Sequence, residues 1–240
     1  MVSEARIVTG HTVVVVLARF RPDTLAWGIL QLILGTRPRQ RLPGLLFHKV
    51  LGCGRDGGFG IVPGLHRQGL FCLFSSPETA NAFVDTARWA QSYRDHAAEH
   101  LVLSLQAWSS RGLWSGHAID VASEAPTDGP IASLTRASIR PHKAFDFWAR
   151  SPAAEADLAR ASGCLLAIGL GEAPVLRQAT FSLWRSPTDL EAYAHSAGHL
   201  AAIRAAYGRH HFSESMFVRF RPLRIEGVWR GRPFPGSLDG

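Results

Sequence analysis

His195 and His199 stand four residues apart, and Arg204 follows after another turn. Imidazoles at i and i+4 project from one helix face, where both can hold a metal or one alone can act as an axial ligand. A cation in the same stretch needs an anionic partner, either a bound group or a carboxylate such as Asp146 or Glu191. His96 and His100 repeat the spacing. Zinc hydrolysis fits poorly, because it calls for a third ligand with an acid nearby and no His-Glu-x-x-His occurs. Arg136 interrupts the even-numbered face of an alternating stretch, residues 131–139, that is otherwise small or apolar. It is either buried and paired or lines a pocket as a hydrogen-bond donor. Cys53, Cys72 and Cys164 form no motif. Only Cys53, between two glycines, is a candidate thiolate ligand, and a small turn residue is the simpler reading.

The elements that must position these residues come in two copies. Residues 71–83 laid over 181–193 give five identities in thirteen positions, among them Phe71/Phe181, Ser76/Ser186 and Pro77/Pro187. Gly112-Leu-Trp-Ser-Gly116 matches Gly227-Val-Trp-Arg-Gly231, and Arg21-Pro22 matches Arg140-Pro141. The three matches keep their order at shifts of 110, 115 and 119, which marks a duplication. In the first copy, strands are predicted at 13–19, 45–51, 70–74 and 101–108, with helices at 22–34 and from Pro77 to about Arg94. Ser76-Pro77-Glu78 is an N-cap serine, an N1 proline and a first-turn acid. The second copy repeats the plan with strands at 131–138, 164–170, 178–184 and 216–222. Its helices are predicted at 141–149, from Ser151-Pro152, and at 187–207. Both copies read β-α-β-β-α-β, the split βαβ plan. Two such sheets packed face to face make an α/β barrel. The expected fold class is α+β: tandem duplicated ferredoxin-like βαββαβ units over 11–122 and 130–232, joined by a linker at 123–129.

The copies differ where chemistry would sit. Asp85 and Trp89 of the first helix after Ser-Pro become His195 and His199 in the second. At 3.6 residues per turn, Leu190, Tyr193, Ala197, Leu200 and Tyr207 form an apolar face. His199 falls beyond its edge, which suits a ligand reaching into a pocket, while Arg204 points within it.

Composition is that of a globular chain: 46% hydrophobic and 19% charged residues, with a net charge of +7. The charge is dispersed and no aromatic ladder accompanies it, so nucleic acid is not expected as a partner. A basic surface does suit anionic lipid headgroups. The longest apolar runs, 13–18 and 25–34, fall short of the roughly 20 residues that cross a bilayer, and the first residues do not read as a signal peptide. Unpaired cysteines fit a reducing cytoplasmic setting, with the apolar helix at 24–34 available for peripheral membrane contact.

At this level of detail the chain resembles the spheroidene monooxygenase family. Ile131-Ala-Ser-Leu-Thr-Arg-Ala-Ser-Ile139, Phe147-Trp-Ala-Arg150, Ile168-Gly-Leu-Gly-Glu172 and Gln178-Ala-Thr-Phe-Ser-Leu-Trp184 carry the likeness. Gly198-His-Leu-Ala-Ala-Ile-Arg204, Phe217-Val-Arg-Phe-Arg221 and, earlier, Phe47-His-Lys-Val-Leu-Gly-Cys-Gly54 continue it. It is dense after residue 130 and thin before 45. The resemblance implies the dimeric α/β-barrel type and a haem-containing oxygenase acting on acyclic carotenoids. By position it makes His199 the axial iron ligand of haem b and Arg204 a partner for a haem propionate. Phe181 and Trp184, with Thr180, are then expected to line the haem cavity, and Arg136 to act as the catalytic donor to bound oxygen or peroxide. The glycine-rich loop at 52–64 is expected near the cavity mouth. A lipophilic small-molecule substrate, carotenoid-like or a specialised metabolite, is implied, with an electron-donor protein and a homo-oligomer as further partners. The alternatives are a haem lyase resembling aldoxime dehydratase, in which an N–O substrate binds iron, and a cofactor-free binding protein.

Overall fold

A computed structural model describes residues 10–35, 42–58, 60, 62–173, 176–196 and 211–234, with backbone alone at 56, 147, 150–154 and 173. His199 and Arg204 lie outside the described residues.

The β-branched run after Thr12 forms β1 (Thr12–Phe20). It is followed by α1 (Leu25–Leu34), β2 (Leu45–Gly54), β3 (Pro63–Phe74), α2 (Pro77–Thr86), α3 (Arg88–His96) and β4 (Ala97–Gly112). The second series is β5 (Ile131–Ile139), α4 (Ala144–Arg160), β6 (Cys164–Ala173), β7 (Arg177–Trp184), α5 (Pro187–Ala194) and β8 (Phe212–Trp229), with a short β9 (Arg232–Phe234). The strand order is β4-β1-β3-β2-β6-β7-β5-β8-β9, and β4 also pairs with β8, so eight antiparallel strands close into a barrel. One seam is long, 101–112 of β4 against 216–227 of β8. The other, β2 with β6, joins only Gly52 to Gly171 and Cys53 to Leu170.

Local signals repeat with the sequence. Ser76 Oγ accepts from the Thr79 N–H and Ser186 Oγ from the Asp189 N–H, each ahead of an N1 proline. Both Gly-x-Trp-x-Gly segments make two-residue turns with positive φ at the central pair, 51° and 80° at Ser115-Gly116, 52° and 71° at Arg230-Gly231. Each turn drives its tryptophan, Trp114 or Trp229, into the barrel core. The turns are then gripped by the opposite copy: Glu214 accepts from the Gly116 N–H, and Glu99 accepts from the N–H groups of Arg230 and Gly231.

Several elements differ from the sequence expectation. β3 begins at Pro63 rather than at 70, continuing its pairing with β1 and β2. The helix predicted from Pro77 to Arg94 is two, because Ala87 is extended at φ −72°, ψ 126°. The two helices predicted at 141–149 and from Ser151 are one, α4, whose backbone continues through Pro152 at the loss of one hydrogen bond. β4 and β8 run well beyond their predicted ends because each is the other's partner across the long seam.

Strand alternation sorts the apolar residues by face. Val13, Val15, Leu17, Leu134, Ile168 and Phe181 fill the barrel interior. Val14, Val16, Leu70 and Phe74 pack against Phe83 of α2 and Tyr93 of α3, and Ile131 and Trp184 against Leu158 of α4 and Leu190 of α5.

Candidate active site

The helix-covered faces of the two sheets can be compared residue by residue, since their registers correspond. In the first copy Val16 lies between Leu70 of β3 and Val102 of β4, and Val50 of β2 lies beyond Leu70. In the second, Thr135 lies between Thr180 of β7 and Phe217 of β8, and Gly169 of β6 lies beyond Thr180. One row along, Val14 and Cys72 become Ser133 and Ser182. Val14, Val16, Leu70 and Cys72 are all 0% exposed. Thr135, in the middle of a strand flanked on both sides, is exposed, and Ser133 and Thr180 are half-buried. A residue walled by neighbouring strands reaches solvent only through space above its own face. The second sheet therefore has a floor of serine, threonine and glycine with a hollow over Thr135, while Gly169 and Ser182 at its sides stay buried, where the first has a packed layer.

The expected site residues separate across this sheet. Trp184 belongs to the floor side: it is 0% exposed, its Nε1–H donates to Ser182 Oγ at 2.9 Å, and its ring lies 5.1 Å from Tyr193. Thr180 shares that face. Phe181 does not; it points into the barrel with Ala179 and Leu183, because neighbours in a strand face opposite ways. Arg136 is likewise on the barrel side, one residue from Thr135 but on the other face. It is 2% exposed and ion-paired with Glu214 and with Glu172, the latter at 3.2 Å, and it lies 5.7 Å over the Trp114 ring. Lys49 completes the cluster, 2.9 Å from Glu172, and the Trp114 Nε1–H donates to the same carboxylate at 2.7 Å. Burial raises the Glu172 carboxyl, but Lys49, Trp114 and Arg136 together hold it below the usual range. Of the two readings of Arg136, the buried and paired one describes it.

His195 is exposed at the end of α5, with Nδ1 2.8 Å from the Glu191 carbonyl. Trp89, the counterpart of His199, is half-buried with its ring 6.1 Å from Phe83 and 5.2 Å from His48. Cys53 lies in β2 and packs in the barrel core at 5% exposure, on the other side of the sheet from the floor, and burial pushes its thiol up to about 12.

This hollow belongs to a chain with close relatives. Over 225 residues it is 48% identical to a spheroidene monooxygenase of Rubrivivax gelatinosus, covering 94% of this chain and 87% of the relative. A spheroidene monooxygenase of Rhodobacter capsulatus is 36% identical over 223 residues, 90% of this chain and 92% of the relative. The chain belongs to the spheroidene monooxygenase family. Its relatives are monooxygenases, so it is an enzyme and an oxidoreductase. No protein-family model matches. Among solved structures, an aldoxime dehydratase superposes with a TM-score of 0.56 at 12% identity, over 90% of this chain and 82% of the other; that likeness shows the fold alone.

In this family member three features near the floor escaped the sequence reading. Arg219 and Trp108 stand at the edge of the floor, the guanidinium 5.5 Å from the ring. His211, 1% exposed, pairs through Nε2 with Asp146 Oδ2 at 2.9 Å, tying the start of β8 to the first turn of α4. A cavity of about 400 Å³ opens at the α4–β6 end, lined by Leu158, Ala167, Trp229 and Arg230, with Gly57 and Gly58 of the first copy at its wall. Two glycines of the glycine-rich loop thus border this cavity, which is lined by none of Ser133, Thr135, Gly169 and Thr180.

Proposed function

We propose that the chain is a haem-dependent monooxygenase of a lipophilic, carotenoid-like substrate, with haem b resting on the floor of the second sheet. The observation that carries this is the exposed Thr135 in the middle of that sheet, where the twin buries Val16. Four strands about 4.8 Å apart make a surface roughly 14 Å across, broad enough for a planar macrocycle. Ser133, Thr135, Gly169 and Thr180 leave a layer of space over it that valine and leucine would close. His199 would ligate the iron, and Trp184 would bound the far end.

When bound, haem supplies the redox chemistry of oxygen activation. The chain's own part is to shape the space over the floor and to hold the substrate against the group bound there. One oxygen atom enters the substrate; with dioxygen the other leaves as water, and a donor protein must deliver two electrons. With peroxide no donor is needed. Identity of 48% across 94% of the chain supports a carotenoid over an unrelated specialised metabolite. A lipophilic substrate also gives α1 a role. Leu30 and Ile33 on its outer side are 45% and 67% exposed, and Arg37, Arg39 and Arg41 follow in sequence, a combination suited to an anionic membrane surface.

The test is a haem titration followed by its visible spectrum. The wild type should develop a Soret band, and His199→Ala should lose affinity and change the ferric spectrum. Unchanged affinity with an unchanged spectrum removes His199 from the iron. With an acyclic carotenoid, product should form only when oxygen or peroxide is present.

A further inference from the structure

Two arginines of the second copy each hold a pair of carboxylates: Arg136 holds Glu172 and Glu214, and Arg224 holds Asp85 and Glu226. Arg219, on the floor, holds none of the described carboxylates. It lies beside Ser133 of β5 and Ser109 of β4, half-buried, and among the described residues no carboxylate stands within ion-pair distance of it. Its guanidinium stacks on Trp108 at 5.5 Å, and the Trp108 indole N–H, itself out of contact with solvent, has no acceptor. The first copy places Ser104 here, 0% exposed beside Val14. A partly desolvated cation next to an orphaned donor is costly unless something anionic completes both.

We propose that Arg219 and Trp108 form a carboxylate anchor at the edge of the floor, and that its ligand is a propionate of the haem. The inference rests on the proposed haem site and adds a residue to it. Guanidinium and carboxylate match in a two-point fork, and the indole N–H offers a third donor. The cation–π contact with Trp108 holds the guanidinium beside the indole before the ligand arrives, so less side-chain freedom is lost on binding.

The experiment titrates haem and haem dimethyl ester, in which both propionates are esterified, into wild type, Arg219→Gln, Arg219→Lys and Trp108→Phe, reading the Soret band. Arg219→Gln should weaken haem binding roughly ten- to hundredfold, the range of a charged hydrogen bond, and leave binding of the ester within about twofold of wild type. Arg219→Lys should recover part of the loss, and Trp108→Phe, which keeps the stack and removes the N–H, should show a smaller one. Ester binding is the control for folding of each variant. If wild type binds haem and Arg219→Gln binds it equally well, or loses haem and ester alike, the anchor is wrong while the haem site stands. If wild type binds neither, the haem reading fails and takes the anchor with it.

Discussion

The two copies agree wherever the chain must hold itself together and part wherever a ligand could lie. Strand order, the Ser-Pro helix starts and the Gly-x-Trp-x-Gly turns are common to both, and Glu99 and Glu214 each grip the other copy's turn. On the helix-covered faces the likeness stops: Val14, Val16, Val50, Leu70 and Cys72 stand against Ser133, Thr135, Gly169, Thr180 and Ser182. Duplication lets one sheet carry packing energy while its twin gives that energy up for space. The comparison therefore makes opposite demands of equivalent positions.

The largest effect should come from erasing the difference. The triple variant Thr135→Val, Gly169→Val, Thr180→Leu writes the first copy's side chains onto the second floor. It should unfold as cooperatively as the parent, since each new side chain gains apolar burial, yet give no Soret band on haem titration. Retained haem affinity would show that the hollow is not the site.

Truncation at one equivalent pair should separate the copies next. Leu70 is 0% exposed, so Leu70→Ala opens a void and should cost about 4 kcal/mol in urea unfolding. Thr180→Ala, on the open floor, should cost less than about 1 kcal/mol. Equal costs would mean that the second face is packed after all.

How much of this was legible in the sequence depends on how local the signal was. Ser76-Pro77 and Ser186-Pro187 placed two helix starts, and the glycine–tryptophan repeat placed two turns, because those conformations are dictated within a few residues. The far ends of β4 and β8 were not readable, being set by partners more than a hundred residues away, and no local signal marks the break at Ala87. The family resemblance groups Phe181 with Trp184, but an odd and an even position of one strand cannot share a face, so parity parts them. The same parity, with the 119 shift, sets Ser133 and Thr135 against Val14 and Val16, a signal of the floor that lay in plain sequence. Arg219 was harder: the 115 shift pairs it with Ser104, but its lack of a counter-ion appears only in three dimensions.

Inside the barrel the copies differ by charge rather than size. Arg136 and Glu172 occupy the places of Leu17 and Cys53 at the opposite end. Arg136→Leu restores the twin's residue but strands carboxylates built around a cation, and should cost about 3 kcal/mol at pH 7. Burial raises the Glu172 and Glu214 carboxyls, but their donors and cations hold both below the ordinary range. Their contribution is therefore complete above the unfolded glutamate value of about 4.3 and fades as pH falls through the lower folded values. The gap between wild type and Arg136→Leu in urea should accordingly narrow between pH 7 and pH 3. A gap independent of pH would assign the loss to packing alone.

The smallest effect belongs to the helices that follow β1 and β5. α4 carries five charged residues and α1 carries none, so the same place in the repeat is polar in one copy and apolar in the other. No described helix is long and apolar enough to cross a membrane, and the membrane contact proposed for α1 is with the surface of one. Leu30 and Ile33 are already partly covered, so burying what remains is worth about 0.7 kcal/mol each, roughly tenfold in affinity together. Leu30→Ser with Ile33→Ser should reduce co-sedimentation with vesicles containing anionic lipid by that factor and leave haem affinity untouched, because the proposed haem floor lies in the other copy. Raising salt should weaken wild-type binding further through the arginines that follow α1. Binding that ignores both the double variant and the salt would make α1 an ordinary exposed helix, and the division of labour between the copies would then reach no further than the floor.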